Sequence, residues 1–94
     1  MRYIDVTWKH EETDEPIRLV SEMGLDEYET RKLEFFADGT VGFASSSSHS
    51  SNTRLGEDIV PSISDINDDA EFEGVEISRI EFDELWIAHA PSNS

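Results

Sequence analysis

Residues 28–45 read YETRKLEFFADGTVGFAS, and this stretch decides the fold. Its first half alternates between two sides with the period of two that is typical of a β-strand. One side carries Glu29, Arg31, Leu33 and Phe35, and the residues between them fall on the other. Asp38-Gly39, a dipeptide typical of tight hairpin turns, separates this strand from a second, shorter apolar alternation. The stretch therefore predicts two neighbouring antiparallel strands joined by a short turn.

Further strands precede and follow this hairpin. Residues 2–8 alternate cleanly, with Ile4 and Val6 on one side, and residues 17–23 form another short apolar alternation. Residues 71–77 read as a short strand or extended segment. Because no helical pattern separates the first four strands, we expect consecutive strands to pair as an antiparallel meander of four to five strands.

Two helices are predicted in the second half of the chain. Ser62 can cap a short helix over residues 62–68, and Ser78 with Glu81 forms a capping box that opens a C-terminal helix. The apolar face of this second helix consists of residues at positions i, i+3, i+4 and i+7, namely Phe82, Leu85, Trp86 and His89. Strands first and helices last indicate an α+β domain with the C-terminal helix packed on one face of the sheet.

The chain is expected to form one domain over residues 1–94, since this length leaves no room for two cores. Residues 45–53 are rich in Ser and have no apolar face, so we predict a flexible loop there. Residues 91–94 begin with a Pro that stops the last helix, and we expect them to form a frayed tail. The sheet face opposite the C-terminal helix is left to solvent or to a partner.

The charge balance limits the classes of partner. Seven Lys and Arg residues face 22 Asp and Glu residues, which gives a formal net charge of −15. Such a field repels nucleic-acid phosphates and anionic membranes, so we expect neither as a ligand. It favours a cationic partner, because complementary fields accelerate encounter and select against wrong partners. The acids concentrate in residues 11–15, 22–34 and 57–84.

Targeting signals are not evident in the sequence. Its start, MRYIDVTWKH, has no apolar region typical of a signal peptide. No stretch approaches the roughly 20 apolar residues that a membrane-spanning helix needs. The chain contains no Cys, which excludes disulfides and thiolate chemistry. We therefore expect a cytoplasmic protein.

Residues 65–76, DINDDAEFEGVE, match part of the EF-hand calcium loop. The acids and amide stand at the ligand positions of that loop: Asp65, Asn67, Asp69 and Glu76. However, Ala70 occupies the position where the loop needs Gly, and Pro61 leaves only about one helical turn ahead of the loop. We interpret the stretch as the end of a short helix that runs into a strand, with its carboxylates facing outward.

Other patterns that could support catalysis are incomplete. His10-Glu11-Glu12 has no second His at the spacing of a zinc site. Ser, His and acid residues are all present, but no G-x-S-x-G elbow would hold a nucleophile in place. The five Gly residues form no phosphate-binding loop. We therefore predict that the chain is not an enzyme and has no catalytic residues, no cofactor and no metal site.

Three stretches carry a resemblance to a known family: Trp8-Lys9-His10, Phe36-Ala37-Asp38-Gly39, and the run from Ile77 to Trp86. With these stretches the chain resembles a family of short bacterial proteins of uncharacterised function, over nearly its whole length up to Trp86. Proteins that look like this occur beside contact-dependent growth inhibition systems and other polymorphic toxins, where they are candidate immunity proteins. The Ser-rich residues 45–52 depart from the family pattern. The resemblance implies a toxin inhibitor and brings no catalytic residues with it.

Charge and resemblance together predict an immunity or inhibitor protein. It would neutralise a cognate basic toxin domain, a nuclease, as a monomer in a tight one-to-one complex steered by charge. The alternative is a general acidic interaction module or nucleic-acid mimic that acts on a housekeeping nucleic-acid enzyme. Trp8 and Phe36 are candidate aromatic anchors of an interface. The predicted partner-binding acids are Asp58, Asp65, Asp68, Asp69, Glu71, Glu73 and Glu76.

Overall fold

Five strands and two helices make up the fold. The computed structural model describes residues 1–51 and 53–91, so most of the predicted tail and Asn52 of the predicted flexible loop lie outside the described residues. The elements are β1 Arg2–Trp8, β2 Arg18–Met23, β3 Glu29–Phe35, β4 Val41–Ser45, α1 Ile63–Asn67, β5 Phe72–Glu76 and α2 Arg79–His89. The predicted α+β class, the antiparallel sheet, the C-terminal helix and the short additional helix are confirmed.

The sheet is antiparallel throughout, in the order β4-β3-β2-β1-β5. Strands β1 to β4 form the predicted meander, and β5 returns to pair with the free side of β1. Gly39 closes the β3–β4 hairpin with φ +90°, a conformation that L side chains rarely adopt. The Asp38 carboxylate supports the turn by accepting hydrogen bonds from the amide and hydroxyl of Thr40.

One face of the sheet is closed by α2, and we call it the α2 face. Tyr3, Val20 and Leu33 of the sheet form a cluster there with two buried helix residues, Phe82 and Trp86. The capping box of Ser78 and Glu81 begins the helix as predicted, and both side chains bond to the backbone amide of the other residue. Of the predicted apolar face, Leu85 is half-buried, while His89 is exposed and contacts the edge of the Phe35 ring.

The opposite face, which we call the α1 face, is covered in part by α1. Ile4, Val6 and Met23 are buried on this side. Packed against them are partly buried residues of the second half of the chain, namely Val60, Ile63, Ile66 and Phe72. Gly74 lets the helix approach the sheet, because a Cβ on it would lie 3.3 Å from methyl groups of Ile63 and Ile66.

Residues 53–56 form a second cover on the α1 face, over the β3–β4 side. Thr53 is fully buried and donates a hydrogen bond to Glu34 at 3.0 Å. It also packs over Gly42, where a Cβ would overlap the Thr53 hydroxyl. The Gly56 amide donates to the Glu29 carboxylate at 2.6 Å. This short segment therefore lies against the sheet without forming a helix or strand.

Both outer edges of the sheet carry hydrogen-bonding partners from neighbouring segments. Asn67 of α1 accepts from the Gly74 amide and donates to its carbonyl, at 2.7 and 3.0 Å. At the other edge, Ser50 bonds to both backbone groups of Phe43. The Ser-rich segment, predicted to be a flexible loop, thus runs back along β4 over its described residues. These contacts occupy edge groups that would otherwise be open to pairing with another strand.

Candidate protein-binding face

An apolar cavity lies on the α1 face, between the sheet and the α1 segment. We call it the α1 pocket, and its volume is about 330 Å³. Its walls are mainly apolar, but Ser21 and Glu29 lie on the sheet side and Asp65 and Asp69 on the helix side. The complete lining consists of Ile4, Val6, Leu19, Ser21, Glu29, Val60, Pro61, Asp65, Ile66, Asp69 and Phe72. Its size is at the lower end of ligand sites, which span about 300 to 1,000 Å³.

A second cavity, the Trp8 pocket, adjoins the first and shares Leu19 with it. Its volume is about 340 Å³, and its lining consists of Trp8, Asp14, Glu15, Pro16, Leu19, Glu34 and Phe36. The Trp8 ring stacks on Phe72 of the α1 pocket, with 5.6 Å between ring centroids. The indole N–H of Trp8 is buried without a hydrogen-bond partner among the described residues. Trp8 and Phe36, the predicted anchors, are both half-buried and border this pocket.

A buried polar cluster on the α1 face borders both pockets. The Lys32 ammonium lies 3.1 Å from Glu29 and 3.8 Å from Glu34, and all three side chains are at most 14% exposed. Ser21 donates a further hydrogen bond to Glu29 at 3.1 Å. Glu29 borders the α1 pocket and Glu34 borders the Trp8 pocket. The cluster thus contains two carboxylates and one cation, a formal excess of one negative charge beside the pockets.

The position of Glu29 corrects the alternation predicted from sequence. That alternation placed Glu29 on the same side as Arg31, Leu33 and Phe35. A register shift at Glu22 and Met23 interrupts the β2–β3 pairing. Met23 pairs with Glu29, and Thr30 has no partner in the register. A β-bulge of this kind re-aims one side chain. Glu29 consequently joins the buried cluster on the α1 face.

The Lys and Arg side chains of the chain contact other groups of the same chain. Arg2, Lys9, Arg18, Arg31, Lys32 and Arg79 all form ion pairs, and Arg54 bonds to His49 and to backbone carbonyls. Among the described residues, seven of the 22 carboxylates contact a cation within 4.0 Å, which leaves 15 that do not. Four of these 15 border the two pockets: Asp14, Glu15, Asp65 and Asp69. No Lys or Arg of the described chain lines either pocket.

The seven predicted partner-binding acids are all exposed, but they do not share one face. Asp65 and Asp69 border the α1 pocket. Asp68 caps the end of α1, and Asp58 and Glu71 lie on connecting segments. Glu73 pairs with Lys9 at 3.1 Å, so its charge is already neutralised in part, and Glu76 lies at the end of β5. The structure brings together two of the seven beside a cavity.

The stretch that matches part of a calcium loop folds as a helix followed by a strand. Asp65 and Asn67 belong to α1 and Glu76 to β5, and the Asn67 amide is occupied by Gly74. Within residues 1–51 and 53–91, no group of three or more His, Cys, Asp or Glu side chains is arranged to hold a metal ion. No helix in the same ranges is long and apolar enough to cross a membrane.

The two pockets are not predictable from the sequence, although part of the signal is present in it. The side of β2 and β3 that faces α1 mixes Leu19 with polar residues, namely Ser21, Lys32 and Glu34. A half-polar inner face of this kind indicates that the face is not closed by a second apolar layer. The bulge at Glu29 and the gap between α1 and residues 53–56 have no sequence signal that identifies them.

A model of one protein family, described as a domain of unknown function (DUF6881), matches residues 2–90. The chain belongs to the DUF6881 family. The match begins with β1 and runs to the C-cap of α2, so the DUF6881 domain includes every strand and helix of this fold. Searches of curated proteins and of solved structures gave no match.

Proposed function

We propose that this protein is an immunity protein: a cytoplasmic inhibitor that binds a basic toxin domain in a one-to-one complex. The observation that supports the proposal is the excess of 15 carboxylates without a cation, together with two adjacent cavities that four of them border. All 15 of these residues are exposed, so the excess charge faces outward. A compact domain with such a field attracts basic proteins and repels acidic ones.

A nuclease is the class of toxin that suits this surface best. A nuclease site is built to hold phosphates, so its surface is rich in cations. Carboxylates presented to that surface take the place of phosphates and block the approach of nucleic acid. Uncharged protein pairs associate at roughly 10⁵–10⁶ M⁻¹s⁻¹, and electrostatic steering raises the association rate above this range. Fast association suits an inhibitor whose target is lethal while it is free.

Co-expression with a basic nuclease domain tests the proposal, and the product of the gene adjacent to its own is the first candidate. We expect the two chains to co-purify and to elute as a one-to-one complex in size-exclusion chromatography with light scattering. The association rate should fall steeply as salt rises, since salt screens the charges that steer encounter. If the purified proteins do not associate at low salt, or the toxin remains active in their mixture, the proposal is wrong.

A second function is a general acidic module that mimics nucleic acid and binds a housekeeping nucleic-acid enzyme. Unpaired carboxylates also occur away from the two pockets, for example Glu81 and Glu84 on α2, and this wide distribution favours a general acidic module. Such a module would bind several nucleic-acid enzymes from a lysate, and double-stranded DNA would compete with it. An immunity protein would bind its cognate toxin and leave those enzymes free.

A further inference from the structure

The chain already contains sites that show what holds an arginine in this fold. Arg31 lies over the rings of Phe82 and Trp86, at 4.8 and 5.2 Å from their centroids, and bonds to Glu22 and Asp83. Arg18 repeats the pattern, over the Phe35 ring at 4.7 Å and with two bonds to Asp5. Each site combines at least one carboxylate with an aromatic face. Guanidinium groups suit this combination, since they are weakly hydrated and stack on rings.

The α1 pocket offers the same components without a cation. Phe72 supplies an aromatic ring, extended by the stacked ring of Trp8. Asp65 and Asp69 supply carboxylates on the helix side, and neither forms an ion pair within the described chain. On the sheet side, Glu29 belongs to a cluster with a formal excess of one negative charge. The walls between these groups are apolar and would cover an aliphatic stem.

We propose that the α1 pocket is the docking site for an arginine side chain of the basic partner. The stem would lie along Ile4, Val6 and Leu19, and the guanidinium would meet the carboxylates of Asp65 and Asp69. Arginine fits better than lysine, because its planar group can contact a ring and a carboxylate at once, whereas an ammonium is a strongly hydrated point charge. This inference rests on the proposed function, and it names the anchor of that interface.

Charge complementarity selects this occupant over others. An acidic segment would be repelled by the two unpaired carboxylates of the α1 pocket, Asp65 and Asp69, and a second copy of this chain would bring its own net charge of −15. An uncharged apolar side chain could fill the cavity but would leave those carboxylates unpaired. A buried arginine contacts both kinds of wall, and interface hot spots are enriched in this residue.

Methyl-detected NMR with small probes tests the assignment. N-acetyl-arginine amide is titrated into the labelled protein, and N-acetyl-lysine amide and N-acetyl-norleucine amide are titrated in parallel. We expect the arginine probe to shift the methyl signals of Ile4, Val6, Leu19 and Ile66, and to bind more tightly than the other two. Shifts spread evenly over the acidic surface, or equal binding of the norleucine probe, would overturn the assignment.

A matched pair of variants identifies the carboxylates involved. The pocket variant is Asp65→Asn with Asp69→Asn, and the control is Glu57→Gln with Glu84→Gln, which removes the same charge from exposed acids outside both pockets. The pocket variant loses two exposed ion pairs with the arginine probe, so its affinity for the probe should fall roughly three- to tenfold. The control variant should keep its affinity. Equal losses in both variants would mean that the probe senses only the net field.

The two proposals fail in distinguishable ways. A toxin that binds the wild-type protein and the pocket variant equally well would leave the immunity function in place and overturn the arginine site. A wild-type protein that binds the arginine probe in the pocket but no basic toxin would overturn the immunity function, and the partner assignment with it.

Discussion

Arg31 and Lys32 are neighbours in sequence, but they lie on opposite faces of the sheet and have different surroundings. Arg31 makes a two-point contact with Glu22, at 2.9 and 2.6 Å, beneath the aromatic rings of α2. Lys32 contacts Glu29 and Glu34 at 3.1 and 3.8 Å, beside two cavities. The Arg31 group is packed under the rings of a helix, whereas the Lys32 group borders two cavities.

This difference indicates that the two faces of the sheet have different roles. The α2 face holds the largest buried aromatic side chains and an arginine with complete partners, which stabilise the fold. In the described part of the chain, α1 and residues 53–56 cover the α1 face, and two cavities lie on it. Stability should therefore depend more on the α2 face, and the proposed partner binding more on the α1 face.

The largest expected effect comes from removing the two cations in turn. Arg31→Met leaves Glu22 buried without its cation and should lower the free energy of unfolding by about 3–5 kcal/mol. Lys32→Met should cost less, about 1–3 kcal/mol, because Glu29 and Glu34 border cavities that water can enter, and Ser21, Thr53 and the Gly56 amide still donate hydrogen bonds to them. Urea denaturation measures both losses. Arg79→Met, at an exposed site, is the control, and an equal or larger loss for Lys32→Met would contradict the comparison.

The environment of Glu22 also makes the stability of the α2 face sensitive to acid. Burial alone would raise the pKa of Glu22, but hydrogen bonds from Arg31 and Thr30 and the charge of Arg31 outweigh it and hold that pKa at about 2, below its ordinary 4.5. The ionised carboxylate therefore stabilises the fold fully above pH 4.5, and this contribution is lost as the pH falls towards 2. The loss amounts to about 3 kcal/mol.

The Glu22→Gln variant is the matched test of this pH dependence. It should be less stable than the wild-type protein near neutral pH, and its stability should change less between about pH 5 and about pH 2. Thermal unfolding followed over that range measures both quantities. If both proteins lost stability in parallel, the acid sensitivity would lie in other carboxylates.

A smaller effect is expected where residues 53–56 cover the α1 face. Gly42→Ala places a methyl group against the buried Thr53 hydroxyl and should cost about 1–3 kcal/mol. The double variant Gly42→Ala with Thr53→Ala relieves that overlap, so the two costs should not add. Chemical denaturation of the four proteins gives the coupling energy, and strict additivity would mean that Thr53 does not press on Gly42.

Most of the fold was predictable because its signals are local. The alternation of β1 and β3, the turn at Gly39 and the capping box of Ser78 and Glu81 each act within a few residues. The pairing of β5 with β1 was not predictable, since it depends on contacts between residues about 70 positions apart. The bulge that turns Glu29 to the other face also depends on how β2 and β3 meet.

The acidic character of the candidate site was predictable from the sequence, but its position on the fold was not. Composition alone indicates an acidic protein for a cationic partner, and Asp65 and Asp69 were among the predicted contacts. The cavity beside them exists because α1 and residues 53–56 cover different parts of one face, which no local pattern records. Acids such as Asp14 and Glu15 reach the same region only through the β1–β2 connection.

The proposed binding face is tested most directly by the affinity of three forms of the protein for a basic partner domain identified by co-purification with the wild type. The forms are the wild type, Asp65→Lys with Asp69→Lys, and Glu57→Lys with Glu84→Lys. Calorimetry at fixed salt should show a loss of at least about tenfold for the first double variant and a clearly smaller loss for the second. Equal losses in the two double variants would contradict the claim that the α1 face binds the partner.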